Sequence, residues 1–145
     1  MSLNSDPSFP NREQNFEPET QSTHQRTLLV VDDEKVLREI IAKVLRREGY
    51  LILEAATQEA ATEAVHRSGR KLDLLISDMT LPGEGGGLRL FEELRESNPE
   101  LRAIFISGRT LEEVCQDGPL PEGTAFLEKP FENERLVNTV REILG

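Results

Sequence analysis

The stretch TLLVVDDEKVLREIIAKVLRREG, Thr27–Gly49, decides how the chain folds. Thr27–Val31 is a short, unbroken apolar run, which predicts a strand buried on both faces, as in a parallel sheet. Asp32 and Asp33 end it. Glu34–Glu48 then carries Val36, Leu37, Ile40, Ile41, Val44 and Leu45 at helical spacing, and Gly49 stands where a helix C-terminal cap belongs. Strand, acidic turn and helix thus succeed one another within a single short unit.

Similar units repeat to the end of the chain. Tyr50–Ala55 reads as a second strand, and Thr57 caps an Ala-rich helix running to about Ser68. Leu72–Ser77 is a third strand, ending at Asp78. A Gly-rich loop, Pro82–Gly87, leads into a helix bearing Leu88, Phe91 and Leu94, closed near Asn98-Pro99. Arg102–Ile106 is a fourth strand. Thr110–Gln116 is a short helix, because Gly118, Pro119 and Pro121 cannot continue it. Thr124–Leu127 is a fifth strand, and Glu132–Leu144 a closing helix with Leu136, Val137, Val140 and Ile143 on one face. Five strands alternating with five helices through short loops imply an α/β fold, a doubly wound parallel sheet covered on both faces.

Composition bounds the rest. At 145 residues the chain is long enough for one domain with a sizeable core. Residues 1–26 are polar and broken by Pro7, Pro10 and Pro18, with few large apolar groups, Phe9 and Phe16 the largest; they read as a flexible tail or linker before a domain spanning 27–145. Cys115 is the only cysteine, which excludes an internal disulfide and suits a reducing cytoplasm. No apolar run approaches the roughly 20 residues that span a bilayer, so no membrane insertion is expected. A net charge of −10 argues against direct nucleic-acid binding.

In a doubly wound sheet the functional site lies at the carboxyl ends of the strands. Those ends are Asp32-Asp33, Asp78, Ser107 and Lys129-Pro130: three carboxylates, a hydroxyl and an ammonium on one edge. Clustered carboxylates repel unless a cation compensates them. Mg²⁺ suits such oxygen ligands, using one or two carboxylates plus water and a phosphate. A carboxylate can attack phosphorus, and phosphoryl transfer needs chiefly positioning and charge neutralisation, which a metal, an ammonium and a hydroxyl supply. Each residue has an ordinary explanation as well. Asp33 could cap the next helix, Asp78 and Ser107 could be turn residues, and Lys129 a solvated lysine. Their joint placement at successive strand ends is what the ordinary explanations leave out. Gly83–Gly87 matches neither a Walker loop nor the dinucleotide fingerprint, and His24 and His66 sit in the tail and on a polar helix face.

The chain resembles the response-regulator receiver family. The resemblance runs from Thr27 to Gly145 and rests on Leu28-Leu29-Val30-Val31-Asp32-Asp33-Glu34, Leu74-Leu75-Ile76-Ser77-Asp78-Met79 with Leu81-Pro82-Gly83, Ile106-Ser107-Gly108, and Phe126-Leu127-Glu128-Lys129-Pro130-Phe131. It implies the flavodoxin-like receiver fold, a five-stranded parallel sheet in order 2-1-3-4-5 flanked by five helices. It implies Asp78 as phosphoacceptor, with Asp32, Asp33, Asp78 and the backbone carbonyl of Thr80 around Mg²⁺ (or Mn²⁺). Ser107 and Lys129 would bind the phosphoryl group, Phe126 would switch rotamer, and Thr80 and Arg109 would tune the phosphoryl lifetime. The Lys129–Pro130 peptide would be cis. The implied partners are a sensor histidine kinase or phosphotransfer protein as donor, and a downstream protein that the sequence does not name.

Three features depart from the commonest receiver pattern. Phe126 stands where tyrosine is frequent, the fourth helix is cut short, and Gly85-Gly86-Gly87 makes the start of the third helix unusually glycine-rich. The short fourth helix and Ala125-Phe126-Leu127 are similar to receivers attached to hybrid histidine kinases. The implied function is a phosphorelay module in the cytoplasm, not a turnover enzyme. The alternatives are a pseudo-receiver that binds partners without phosphorylation, and an aspartyl-phosphate phosphatase. The first is disfavoured by the intact residue set. The second would want its two acids two residues apart on the first strand. Whether the chain is a single-domain regulator or part of a larger protein is left open by its sequence.

Overall fold

The computed structural model describes residues 25–145. The tail reading, with Phe9, Phe16 and His24, lies outside the described residues but for Gln25 and Arg26. The elements run β1 (Thr27–Val31), α1 (Lys35–Arg47), β2 (Leu51–Ala55), α2 (Gln58–Ser68), β3 (Leu74–Asp78), α3 (Gly86–Ser97), β4 (Arg102–Ser107), α4 (Leu111–Val114), β5 (Thr124–Glu128) and α5 (Asn133–Leu144). The five strands are all parallel, in the order β2-β1-β3-β4-β5. The chain reverses its direction of travel across the sheet at β1 and β3, and the strand ends on either side of that point carry Asp32 and Asp78. Among the described residues no helix is long and apolar enough to cross a membrane.

Strand alternation splits the core into two layers. Leu28 and Val30 of β1, Leu74 and Ile76 of β3, and Ile104 and Ile106 of β4 pack on one face with Ile41, Ala42 and Leu45 of α1 and Leu136 and Val140 of α5. Leu29, Val31, Leu75, Ala103 and Phe105 point to the other face, against Ala61 of α2 and Leu90, Phe91 and Leu94 of α3. Phe91 and Phe105 meet edge to face, with centroids 5.8 Å apart, a favoured aromatic geometry.

Three details differ from the pattern read in the sequence. The third strand is shifted from Leu72–Ser77 to Leu74–Asp78, because Asp78 itself pairs with Ile106 and Leu72 is held by a side chain instead. In α1 the core face is Leu37, Ile41, Val44 and Leu45, while Val36 and Ile40 are 66% and 45% exposed. The apolar stripe is therefore wider than the surface the sheet covers. The fourth helix is α-helical only over Leu111–Val114 and tightens to a 3₁₀ turn at Cys115–Asp117, because Gly118 and Pro119 come next.

Helix ends are fixed locally. Thr57 Oγ1 accepts from Ala60 N to start α2, and Thr110 and Glu113 form a reciprocal capping box at α4. The chain enters α3 through Gly85 and Gly86, both at positive φ, which only glycine adopts without strain. Gly87 has a different reason. A Cβ there would lie 2.5 Å from the carbonyl oxygen of Asp78 and 2.9 Å from Ser77 Oγ. The amino end of α3 thus lies directly on the backbone at the end of β3. At the other end of α3, buried Asn98 accepts from Leu72 N at 3.0 Å and donates to Leu94 O at 3.1 Å.

These contacts make two substitutions informative about stability. In a helix Gly→Ala normally gains about 1 kcal/mol, but Gly87→Ala forces the backbone apart and should cost about 2 kcal/mol. Asn98→Ala leaves the buried Leu72 N–H without its partner and should cost about 1–3 kcal/mol. Urea midpoints at unchanged slope measure both; a stabilised Gly87→Ala would show that α3 does not press on the Asp78 backbone.

Candidate functional site

β1 delivers Asp32 and Asp33, β3 delivers Asp78, β4 ends in Ser107, and Lys129 stands just after β5. Backbone bonds lock these ends together. Met79 N donates to Ile106 O at 2.9 Å and Lys129 N to Ser107 O at 2.7 Å, while Asp32 N donates to Ala55 O at 3.2 Å. The Lys129–Pro130 peptide is cis.

The carboxylates of Asp32, Asp33 and Asp78 each offer an oxygen, and the three oxygens lie within 4.8 Å of one another. Asp32 and Asp78 are buried and Asp33 is exposed. Asp78 Oδ1 accepts from Thr80 N and Thr80 Oγ1, both at 2.8 Å, and Asp78 Oδ2 accepts from Lys129 Nζ at 3.0 Å. Burial pushes the Asp78 carboxyl up, but the hydrogen bonds from Thr80 and Lys129 outweigh it and hold the group below its ordinary value. For Asp32 burial wins and the carboxyl is raised, despite the bond from Glu34 N to Oδ1 at 2.8 Å. Burial alone would lower the Lys129 ammonium, but its bond to Asp78 and the charge of Asp32 raise it, so it stays protonated at neutral pH.

One atom is left over. Asp32 Oδ2 is fully buried and has no hydrogen-bond partner; Lys129 Nζ stands 3.7 Å away, an ion-pair distance but too long for a hydrogen bond. An orphaned carboxylate oxygen beside two other carboxylates fits a hard divalent cation such as Mg²⁺, which takes oxygen ligands and brings compensating charge. Asp33 is not spent on capping. The α1 N-cap position is Glu34, and no side chain caps that end.

The remaining residues singled out in the sequence fall around this centre in different ways. Ser107 is 2% exposed, and its Oγ accepts from Arg109 N at 3.0 Å. It therefore makes the ordinary turn bond while standing at the strand end. Thr80 is exposed, with its hydroxyl bonded to Asp78. The Arg109 guanidinium reaches away, donating to Glu113 O at 3.0 Å. Phe126 is half-buried opposite Phe105, on the α2/α3 side of the sheet. His66 is exposed on α2, and Cys115 is half-buried in the 3₁₀ turn rather than on a helix face.

Two contributors were not legible in the sequence. Arg38 donates from Nη1 to Asp32 O at 2.8 Å, yet it sits in a helical pattern as an ordinary polar residue. Ser77, fully buried, donates from Oγ to Asp78 O at 2.9 Å. Its only signal was a hydroxyl inside an otherwise apolar strand.

Comparison with known proteins agrees with this geometry. Residues 28–141 match the family described as response regulator receiver domain. The chain is 33% identical over 133 residues to the sensor kinase CckA of Brucella abortus, an alignment covering 92% of this chain; it spans only 14% of that kinase's length. Among solved structures it is similar to the receiver domain of the hybrid histidine kinase CckA, at 33% identity and TM-score 0.68, covering 82% of this chain and 99% of that one. It is also similar to a response regulator receiver protein from Sinorhizobium medicae, at 26% identity and TM-score 0.72, covering 84% and 96%. With the sheet order, the acidic strand ends and these likenesses in agreement, the chain belongs to the response regulator receiver domain family of two-component signalling.

Proposed function

We propose that the unit spanning 27–145 accepts a phosphoryl group on Asp78 and relays it as a conformational signal, acting as a module and not as a turnover enzyme. The single observation carrying this reading is the Asp78 carboxylate, kept ionised by Thr80 and Lys129 beside two further carboxylates. An ionised carboxylate is the nucleophile the chemistry requires. One Asp78 oxygen bonds to phosphorus while the donor's bond to phosphorus breaks, giving an acyl phosphate and the free donor.

Asp32, Asp33 and Asp78, with the carbonyl of Thr80, would hold Mg²⁺ or Mn²⁺, which when bound neutralises charge on the phosphoryl oxygens. Lys129 supplies a second, fixed positive charge next to Asp78. Ser107 accepts one hydrogen bond from Arg109 N, and its own proton is uncommitted among the described residues. It is thus free to donate to a phosphoryl oxygen on a small rotation. That movement would shift the β4–α4 turn, with half-buried Phe126 free to repack on β5. Thr80, bonded to Asp78, and Arg109, two residues after Ser107, would tune how long the acyl phosphate lasts.

The donor would be a sensor histidine kinase or a phosphotransfer protein, as the likeness to receivers of hybrid kinases suggests, in the reducing cytoplasm that a lone cysteine suits. Exposed Val36 and Ile40 stand one turn apart on α1, immediately after the aspartates. An exposed apolar pair beside the site fits a protein donor's docking surface.

Two measurements test this. Incubated with a small phosphodonor and Mg²⁺, the protein should gain one phosphoryl group by intact mass, with no gain in EDTA or in Asp78→Asn. Absence of any gain at saturating donor and metal would turn the assignment to a pseudo-receiver. Val36→Asp with Ile40→Asp should leave phosphorylation by the small donor unchanged. It should slow transfer from a phosphohistidine protein that serves the wild type by about tenfold or more, the loss of roughly 1.4 kcal/mol of docking. Equal rates from both donors in the variant would place docking elsewhere.

A further inference from the structure

Arg38 is a charged side chain drawn inward from a helix that leaves its Val36 and Ile40 outside. It lies in the first turn of α1 with its side chain only 15% exposed. Nη1 donates to Asp32 O at 2.8 Å. Nε is buried without a hydrogen-bond partner, 3.6 Å from Glu54 Oε1 of β2. Glu54 is shared with Arg46, whose Nη2 stands 3.2 Å from Oε2 and also donates to Ile52 O. Glu54 and Arg46 already join α1 to the edge strand. Adding a third, desolvated charge costs free energy, so its contact with Asp32 calls for a reason.

We infer that Arg38, braced by Glu54, is a positioning residue that holds the Asp32–Asp33 peptide so that both carboxylates face a divalent cation. The inference rests on reading the acidic cluster as a cation site. Asp32 is fixed at three of its four polar atoms: its N–H by Ala55 O, its carbonyl by Arg38, and Oδ1 by Glu34 N. Only Oδ2 is left for a ligand. The carbonyl of Asp32 and the N–H of Asp33 share one rigid peptide plane. Clamping that carbonyl therefore also sets the direction in which Asp33 leaves the strand. Asp33 is exposed and has no cap bond to orient it, so this plane is its main restraint.

Charge and positioning predict opposite signs. A guanidinium bonded to the Asp32 carbonyl carries a charge that repels an incoming cation, so its removal on electrostatic grounds alone would tighten binding. Loss of a positioning contact behind the ligands instead weakens metal binding, typically by about 10–100-fold.

Isothermal titration with Mg²⁺ on the full chain separates the two, with thermal unfolding in EDTA checking that each variant folds. Arg38→Met should raise the Mg²⁺ Kd by about tenfold. Arg38→Lys can still reach a carbonyl, but without the planar fork, and should fall between it and the wild type. Arg46→Met removes an equal charge from the same glutamate without touching Asp32, and should stay within about twofold of the wild type. If Arg38→Met does not fold, Arg38→Lys and Glu54→Gln carry the test, and weaker binding in both is the expected result. Mg²⁺ binding by Arg38→Met, or by that pair, as tight as or tighter than in a binding wild type would overturn the positioning role alone. A wild type that binds no Mg²⁺ would overturn the cation-site reading, and the inference with it.

Discussion

Two buried carboxylates at the ends of adjacent strands, with one ammonium between them, constrain everything else at this edge of the sheet. Asp32 and Asp78 would repel if both were ionised in a dry site; at about 4 Å and an effective dielectric near 20, two unit charges interact by roughly 4 kcal/mol. Lys129 at 3.0 Å from one and 3.7 Å from the other offsets part of this. Its position depends on the backbone bond to Ser107 O and hence on β4 and β5 lying in register. The Asp78 carbonyl in turn needs α3 pressed against it with nothing larger than hydrogen at Gly87. Sheet register, helix approach and local charge thus form one requirement.

The asymmetry between the two carboxylates shows how that requirement is met. Asp78 receives three donors on its two oxygens and is held ionised. Asp32 receives one, keeps one oxygen orphaned, and is pushed upward by its burial. On the proposed reading, the first arrangement suits a nucleophile and the second an incomplete ligand. The difference comes from the path the backbone takes on leaving each strand. After Asp78 the chain turns back through Thr80, placing both an amide and a hydroxyl on one oxygen. After Asp32 it turns into α1, where only the amide of Glu34 is available.

Much of this was legible in the sequence because it depends on periodicity and on strand ends. The five strands read as largely apolar runs, and topology then carries their carboxyl ends to one edge whatever the side chains there do. The acids, Ser107 and Lys129 were visible for that reason. Arg38 was not. In helical spacing it neighbours Leu37 and reads as solvent-facing, and only the docking of α1 on β2 brings it to the Asp32 carbonyl and Glu54. The same docking leaves Val36 and Ile40 uncovered, which an apolar pattern alone cannot indicate. The glycine run at Gly85–Gly87 was visible as composition, but its purpose depends on a distance across the fold. Strand and helix limits slipped by one or two residues where a side chain, such as Asn98 at Leu72, substitutes for a ladder bond.

The charge count at the centre bears on how a signal could leave it. Three carboxylates and one ammonium leave roughly two negative charges, which a divalent cation would cancel. On the proposed reading, converting Asp78 to an acyl phosphate adds about one further negative charge and new acceptor oxygens. An uncommitted donor at this edge is the Ser107 hydroxyl, at the end of a strand whose next residues are tied locally: Arg109 N to Ser107 Oγ, the Arg109 side chain to Glu113 O, and Thr110 to Glu113. Drawing Ser107 inward therefore strains a compact turn, not a long helix. With α4 only four residues long and continued by a 3₁₀ turn, little rigid structure lies beyond that turn to transmit the movement. The readout on this reading belongs to the β4–α4 turn and to the half-buried Phe126 on β5, and a partner would have to recognise that local surface and not a displaced helix.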